Sequence, residues 1–126
     1  MREVITAVAV LLATCATARA GQVVSPPLVN GGGVDTFHCE FLNVGRGNID
    51  NVRIQLVDGS TGNPAVDIDP LTLHVGDERL IAWETSLRTG YCRAIGGTAV
   101  NERNVLVTLC NGTAASSTCR AVVTTR

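Results

Sequence analysis

The sequence predicts an all-β domain, an antiparallel two-sheet β-sandwich of about seven to eight strands held together by disulfides. Apolar and polar residues alternate with a period of two over most of the chain, as in strands that bury one face. Turn signals rich in Gly, Asn and Asp recur about every 8 to 12 residues, the spacing of a sandwich. Because so many strands each carry an apolar face, two sheets are needed to cover them.

The first half of the chain contains three predicted strand regions. Residues 23–29 form the first, and Pro26 and Pro27 confine it to a sheet edge because proline cannot donate to a strand ladder. Residues 37–42 alternate cleanly, with the two phenylalanines and a cysteine on one face. Residues 52–57 repeat this pattern with aliphatic residues. Gly- and Asn-rich turns separate these regions.

The second half contributes a short edge strand and then longer strands. The short strand covers residues 66–68, where Asp67 and the nearby Asp69 and Pro70 discourage pairing with another molecule. The remaining predicted strands are 71–75, 79–84, 91–95, 104–109 and 118–124.

Residues 1–20 have the features of a cleavable secretory signal peptide. Arg2 precedes an apolar run at residues 4–13, and a small-x-small site ends at Ala20, so cleavage is expected between Ala20 and Gly21. The run is shorter than the roughly 20 residues that span a bilayer, so no transmembrane segment is expected after signal removal. The sequence therefore predicts export.

Cys15 supports an alternative interpretation of the same segment. Residues 12–15 resemble a bacterial lipobox, in which the cysteine is lipidated and becomes the new N-terminus. The protein would then be a lipid-anchored surface lipoprotein. Thr14 stands where the motif usually has Gly, Ala or Ser, and this favours a discarded signal cysteine instead.

Removal of 20 of the 126 residues leaves 106, enough for one domain. We expect a Gly/Pro-rich segment at 21–34, with an edge strand, and a β-sandwich domain at 35–126. The signal holds two of the ten arginines and one of the eleven acids, so eight arginines face ten acids in the remainder, and lysine is absent. This mildly acidic balance argues against nucleic acid or anionic membranes as partners.

Four cysteines remain outside the signal, an even number that indicates two disulfides in an exported domain. We predict a Cys39–Cys92 bridge between the sheets, because Cys39 lies on an inward face and Cys92 on a much later strand. We predict a local Cys110–Cys119 bridge, because a hairpin around the polar loop between them would bring the two together. The other pairings would pull the ends of that hairpin apart.

Six short motifs between residues 37 and 95 carry a resemblance. They are Cys39, Asn43-Val44-Gly45, Val52-x-Ile54-x-Leu56, Asp58-Gly59, Leu73-x-Val75-Gly76 and Tyr91-Cys92. With these motifs the chain resembles small exported bacterial β-sandwich proteins of unassigned function, and is also similar to immunoglobulin-like domains of the CARDB (cell-adhesion-related) type. The resemblance implies an immunoglobulin-like sandwich with a binding role, and it carries over no catalytic residue.

No catalytic or metal-binding residue is predicted. The part of the sequence after the signal has two histidines, His38 and His74, both at polar-face positions, and it has no Gly-x-Ser-x-Gly motif. Its aspartates lie in turns and do not follow a calcium-loop pattern, and the predicted disulfides leave no free thiol for zinc. We therefore expect a protein that is not an enzyme and has no cofactor.

Binding remains the predicted role, with an unknown protein or surface ligand as partner. We predict an exported structural or protein-binding module, located in the periplasm, at the cell surface or in the medium. Its exposed loops at residues 45–51, 59–64 and 111–118 are the expected contact points. The alternative is a small-ligand or glycan site that uses the aromatic side chains of Trp83 and Tyr91.

Overall fold

The structure is a computed structural model that describes residues 21–30, 35–84, 87–113 and 119–125. Of residues 35, 83–84, 113 and 119–124 it describes the backbone alone. The predicted signal segment, including Cys15 and Ala20, lies outside the described residues, so the predictions made for it stay predictions.

The described residues form ten strands, joined by turns and loops, and contain no helix. This confirms the all-β class. All nine strand regions named from the sequence form strands, and the number reaches ten because the N-terminal edge strand is divided in two around its prolines. The described residues accordingly contain no helical segment with the length and hydrophobicity of a membrane span. The strands are β1 (Gln22–Val24), β2 (Leu28–Val29), β3 (Asp35–Asn43), β4 (Ile49–Asp58), β5 (Pro64–Asp67), β6 (Leu71–Leu73), β7 (Glu78–Glu84), β8 (Thr89–Ile95), β9 (Val105–Thr113) and β10 (Cys119–Thr124).

The strands form two antiparallel sheets. One is six-stranded, with the order β1-β8-β4-β5, and β2 also pairs with β8 while β6 pairs with β4. The other is four-stranded, with the order β10-β9-β3-β7. The predicted antiparallel β-sandwich is therefore confirmed.

The core lies between the two sheets and is made by the inward-facing residues, which alternate with outward-facing residues along the strands. Phe37 and Phe41 of β3 are fully buried, as are Leu56 of β4 and Leu109 of β9. Because a fully buried large apolar side chain is worth about 2 to 3 kcal/mol relative to an exposed one, these residues dominate the stability of the fold. The other members of the core cluster are Val23, Cys39, Ile49, Val52, Ile54, Leu73, Ile81, Cys92, Ala94, Val100, Val105 and Val107.

A disulfide joins the central regions of the two sheets. Cys39 of β3 and Cys92 of β8 are bonded, with an S–S distance of 2.09 Å, and both are fully buried. This confirms the predicted inter-sheet bridge. Cys110 of β9 is also disulfide-bonded. The side chain of its predicted partner, Cys119, is not among those described, so that pairing stays a prediction.

The strand order can be compared with that of an immunoglobulin domain, in which strands B and F carry the inter-sheet disulfide. If β3 corresponds to B and β8 to F, then β4 and β7 occupy the places of C and E. The outer strands differ: β9, late in the chain, pairs with β3, and β1, early in the chain, pairs with β8. The immunoglobulin-like character stays a prediction.

Candidate functional site

The β7 strand is the long edge of the four-stranded sheet. All seven of its residues pair with β3 on one side, and no described strand pairs with the other side. Leu80 is 57% exposed and Ala82 is exposed, whereas Ile81 between them is buried in the core. We call the strand Glu78–Glu84, with its free side, the β7 edge. It combines a row of unpaired backbone groups with an apolar centre.

The edge strands of the six-stranded sheet are short or interrupted by proline, whereas β7 has seven residues, no proline, and charged residues only near its two ends. Next to β8, β1 and β2 have only three and two residues and are separated by Pro26 and Pro27. On the opposite side, β5 has four residues, begins at Pro64 and ends at the charged Asp67. Short strands, prolines and charges all discourage the addition of another strand.

A second surface of interest is the outer face of the six-stranded sheet. The register pairs Val57 with Tyr91 and Gln55 with Arg93, and these four residues point away from the core. Yet Val57 is fully buried and Gln55 is only 5% exposed. Long side chains on this face therefore form a second layer that covers the middle of β4.

A chain of hydrogen bonds crosses this outer face. The Nη1 of Arg53 donates to both carboxylate oxygens of Asp67, at 3.1 and 3.0 Å. The amide nitrogen of Gln55 donates to Oδ1 of Asp67 at 3.1 Å, and the amide oxygen of Gln55 accepts from Nε of Arg93 at 2.8 Å. The hydrogen bond from Gln55, followed by the bonds and charge of Arg53, lowers the pKa of Asp67 below its ordinary value.

The sequence indicated only part of this network. The period-two alternation of residues 52–57 assigns Arg53 and Gln55 to the outer face, and the same pattern could have identified Arg93. The role of Asp67 depends on the register between β4 and β5, which pairs it with Gln55. That register has no local sequence signal.

The two predicted ligand residues lie on different sheets. Trp83 is on β7 and is the register partner of Phe37, while Tyr91 is on β8 opposite Val57. Tyr91 is half-buried on the outer face of the six-stranded sheet. The side chain of Trp83 is not among those described. The sheet positions therefore do not make the two residues neighbours, and the shared site stays a prediction.

The histidines occupy separate surroundings. His38 of β3 is half-buried, and its Nε2 is buried without a hydrogen-bond partner among the described residues, while His74 is exposed. Glu40, two residues from His38, has a pKa raised above its ordinary value, first by burial and then by the nearby carboxylate of Glu78. No group of three or more metal-binding side chains occurs within the described ranges.

The predicted contact loops are built on hydrogen-bonded turns. Asn43, only 1% exposed, leads into the loop at 45–51: its side-chain nitrogen donates to the carbonyls of Gly47 and Leu73, and its oxygen accepts from the Gly45 amide. In the loop at 59–64, Asp58 accepts from the backbone of Ser60.

Two of the predicted loops are shorter than expected. Residues 49–51 belong to β4, and residues 111–113 belong to β9, where the prediction of an exposed loop is wrong because Asn111 is paired with β3 and only 4% exposed. Residues 114–118 lie outside the described residues.

A surface pocket of ≈ 500 Å³ lies beside β1. Its lining includes Gln22 and the polar turn formed by Asn101, Glu102 and Arg103. The side-chain oxygen of Asn101 accepts from the backbone of Arg103, so the turn is locally ordered.

No family model, curated protein or solved structure matches this chain.

Proposed function

We propose that this protein is an exported, non-enzymatic binding module that pairs with an extended segment of a partner protein along the β7 edge. The proposal depends on one observation: β7 is a seven-residue edge strand with an apolar centre and no described strand on its free side. Export to the periplasm, the cell surface or the medium is supported by the Cys39–Cys92 disulfide, because such bonds persist in oxidising compartments.

Strand addition fits this edge because it uses the backbone for affinity. Seven residues at a rise of about 3.3 Å present roughly 23 Å of backbone donors and acceptors. Leu80 lies at the centre of this stretch and offers an apolar contact that a partner side chain can cover. The mildly acidic net charge gives no electrostatic reason to expect nucleic acid as a partner, which favours a protein partner.

Site-specific photo-crosslinking in the native host tests this proposal. A photoreactive amino acid replaces Leu80 in one variant and Val29 in another. Both side chains are highly exposed aliphatics, at 57% and 73%, but Val29 lies on β2 at an edge of the other sheet. We expect a discrete crosslinked protein from position 80 and none from position 29.

A Leu80→Lys variant provides the second measurement. Lysine on an edge strand opposes strand addition while leaving the exposed position free of packing strain. We expect it to abolish a crosslink formed from position 82, whereas Val29→Lys leaves that crosslink unchanged. Equal crosslinking from positions 80 and 29, or none from either, would contradict the proposal.

A further inference from the structure

Arg93 is held in a defined orientation from one side only. Its Nε donates to the amide oxygen of Gln55 at 2.8 Å, and the residue is half-buried. No described residue accepts a hydrogen bond from its Nη1 or Nη2. The Nη1 and Nη2 groups of the guanidinium therefore remain available as donors, while strand pairing on both sides fixes the backbone of Arg93.

The partner that orients Arg93 is itself locked. Gln55 is 5% exposed, and its amide nitrogen donates to Asp67 at 3.1 Å. Because a carboxylate only accepts hydrogen bonds, this contact turns the amide oxygen of Gln55 toward Arg93. Asp67 therefore sets the orientation of Arg93 indirectly, through the amide group of Gln55.

Among the side chains that the structure describes, no carboxylate is in direct contact with the guanidinium of Arg93. Asp67 is the acid nearest to it in this network, and both of its oxygens are engaged by Arg53. Between Asp67 and Arg93 stands the neutral amide of Gln55. Two arginines and one aspartate share the network, so one positive charge remains without a directly bonded counter-ion.

Apolar and aromatic residues are the neighbours of Arg93 on the outer face of the sheet. The register places Val24 of β1, 39% exposed, directly opposite Arg93. Tyr91 and Ile95 are two residues away along β8 on the same face, and both are partly exposed. An oriented arginine bordered by apolar side chains suits a carboxylate flanked by apolar residues.

We propose that this face binds an acidic peptide segment, with a glutamate or aspartate carboxylate held by Nη1 and Nη2 of Arg93 and flanking apolar side chains on Val24 and Ile95. A single carboxylate matches the one guanidinium of this network, that of Arg93, which has no directly bonded carboxylate. Tyr91 is half-buried and opposite a buried Val57, so it offers less of the open ring surface on which sugars stack. This site is separate from the β7 edge, which belongs to the other sheet, and does not depend on it.

NMR titration of the exported chain tests the proposal. The probe is acetyl-Val-Glu-Val-amide, and its control is acetyl-Val-Gln-Val-amide, which differs only in the charge of the central side chain. Glucuronic acid is a third probe. We expect the glutamate peptide to shift the Nε–H signal of Arg93 and the backbone signals of Val24 and Ile95, and the glutamine peptide to bind at least about tenfold more weakly.

Two variants connect the binding to Arg93. Arg93→Gln removes the charge, and the double variant Gln55→Glu/Asp67→Asn moves the carboxylate of the network next to Arg93 without placing two carboxylates side by side. Both are expected to weaken the glutamate peptide at least about tenfold. Arg46→Gln removes an exposed arginine on a distant turn and is expected to bind as the parent does. If Arg93→Gln fails to fold, the double variant still decides the question.

Three results would overturn the inference. One is the absence of shifts with the glutamate peptide, and another is equal binding of the two peptides. The third is binding of glucuronic acid but not of the glutamate peptide, which would make this face a glycan site.

Discussion

Glu40 shows how a single carboxyl can weaken a fold at neutral pH. It lies on the outer face of the four-stranded sheet, opposite Leu80 and close to Glu78. Partial burial, the charge of Glu78 and a hydrogen bond with it raise the pKa of Glu40 above its ordinary value, while His38 opposes this effect. The folded state therefore binds a proton at Glu40 more tightly than the unfolded chain does.

We predict that Glu40→Gln stabilises the protein at pH 7. A raised pKa in the folded state means that the stability contributed by Glu40 falls as the pH rises through and above its ordinary value of 4.5. Because the group is partly exposed, the gain should not exceed about 0.5 kcal/mol. Urea unfolding at pH 4 and pH 7 measures it, with the exposed Asp69→Asn as the control. A gain confined to pH 4 would contradict the sign argued here.

Asn43 illustrates the difference between a turn signal and the structure it builds. The sequence Asn43-Val44-Gly45 predicts a turn, and the structure places one there. The side chain of Asn43 is buried and connects this turn to Gly47 and to the carbonyl of Leu73, thirty residues later. The contact with Leu73 depends on how β6 packs beside β4, which no local pattern specifies.

At the scale of elements, the hydroxyl of Ser25 keeps the N-terminal edge strand hydrogen-bonded to β8 at the point where the strand reaches its prolines. The backbone of Ser25 donates to the carbonyl of Cys92 at 2.9 Å, and the hydroxyl oxygen of Ser25 accepts from the Cys92 amide at 2.9 Å. The hydroxyl also donates to the carbonyl of Pro26. A side chain thus takes the place of a backbone acceptor where the strand bends.

Ser25→Ala is predicted to lower the free energy of unfolding by about 1 to 2 kcal/mol, because it leaves the amide of Cys92 buried without an acceptor. Urea unfolding measures the loss, and hydrogen exchange of the Cys92 amide should become faster. Ser60→Ala, in an exposed turn, is the matched control and should be close to neutral. An unchanged exchange rate at Cys92 would show that the hydroxyl is not the acceptor.

At the scale of the whole molecule, the Cys39–Cys92 disulfide joins strands that lie inside their sheets. β3 is flanked by β7 and β9, and β8 by β1 and β4. The bond closes a loop of 53 residues and thereby removes many conformations from the unfolded chain. The disulfide therefore links the two sheets through interior strands, within the core, and not through edge strands.

The double variant Cys39→Ala/Cys92→Ala is predicted to lose about 4 kcal/mol of stability in the chain-entropy model. Cys110→Ser/Cys119→Ser, which removes the predicted local bridge, should lose about 2.5 kcal/mol because its loop is shorter. Urea unfolding under non-reducing conditions compares the two. A larger loss from the local pair would show that loop length does not govern the contribution of these bonds.

The sequence by itself determined the fold class and the inter-sheet disulfide. Period-two alternation selects one buried face in each strand, and Cys39 shares the inward face of Phe37 and Phe41, so both features follow from local pattern. The sequence also placed the N-terminal strand at a sheet edge, as the structure has it, and predicts that the aspartates and proline near β5 oppose strand addition, because prolines and aspartates act locally.

Which strands lie side by side follows from the tertiary structure and not from the sequence pattern. Pairing of β9 with β3 leaves β7 as one edge of the four-stranded sheet, with β10 as the other. The register of β4 with β5 and β8 brings Arg53, Asp67 and Arg93 around Gln55. These contacts join residues far apart in the chain, and their free energy comes from packing and hydrogen bonds across strands, which alternation along a single strand does not encode.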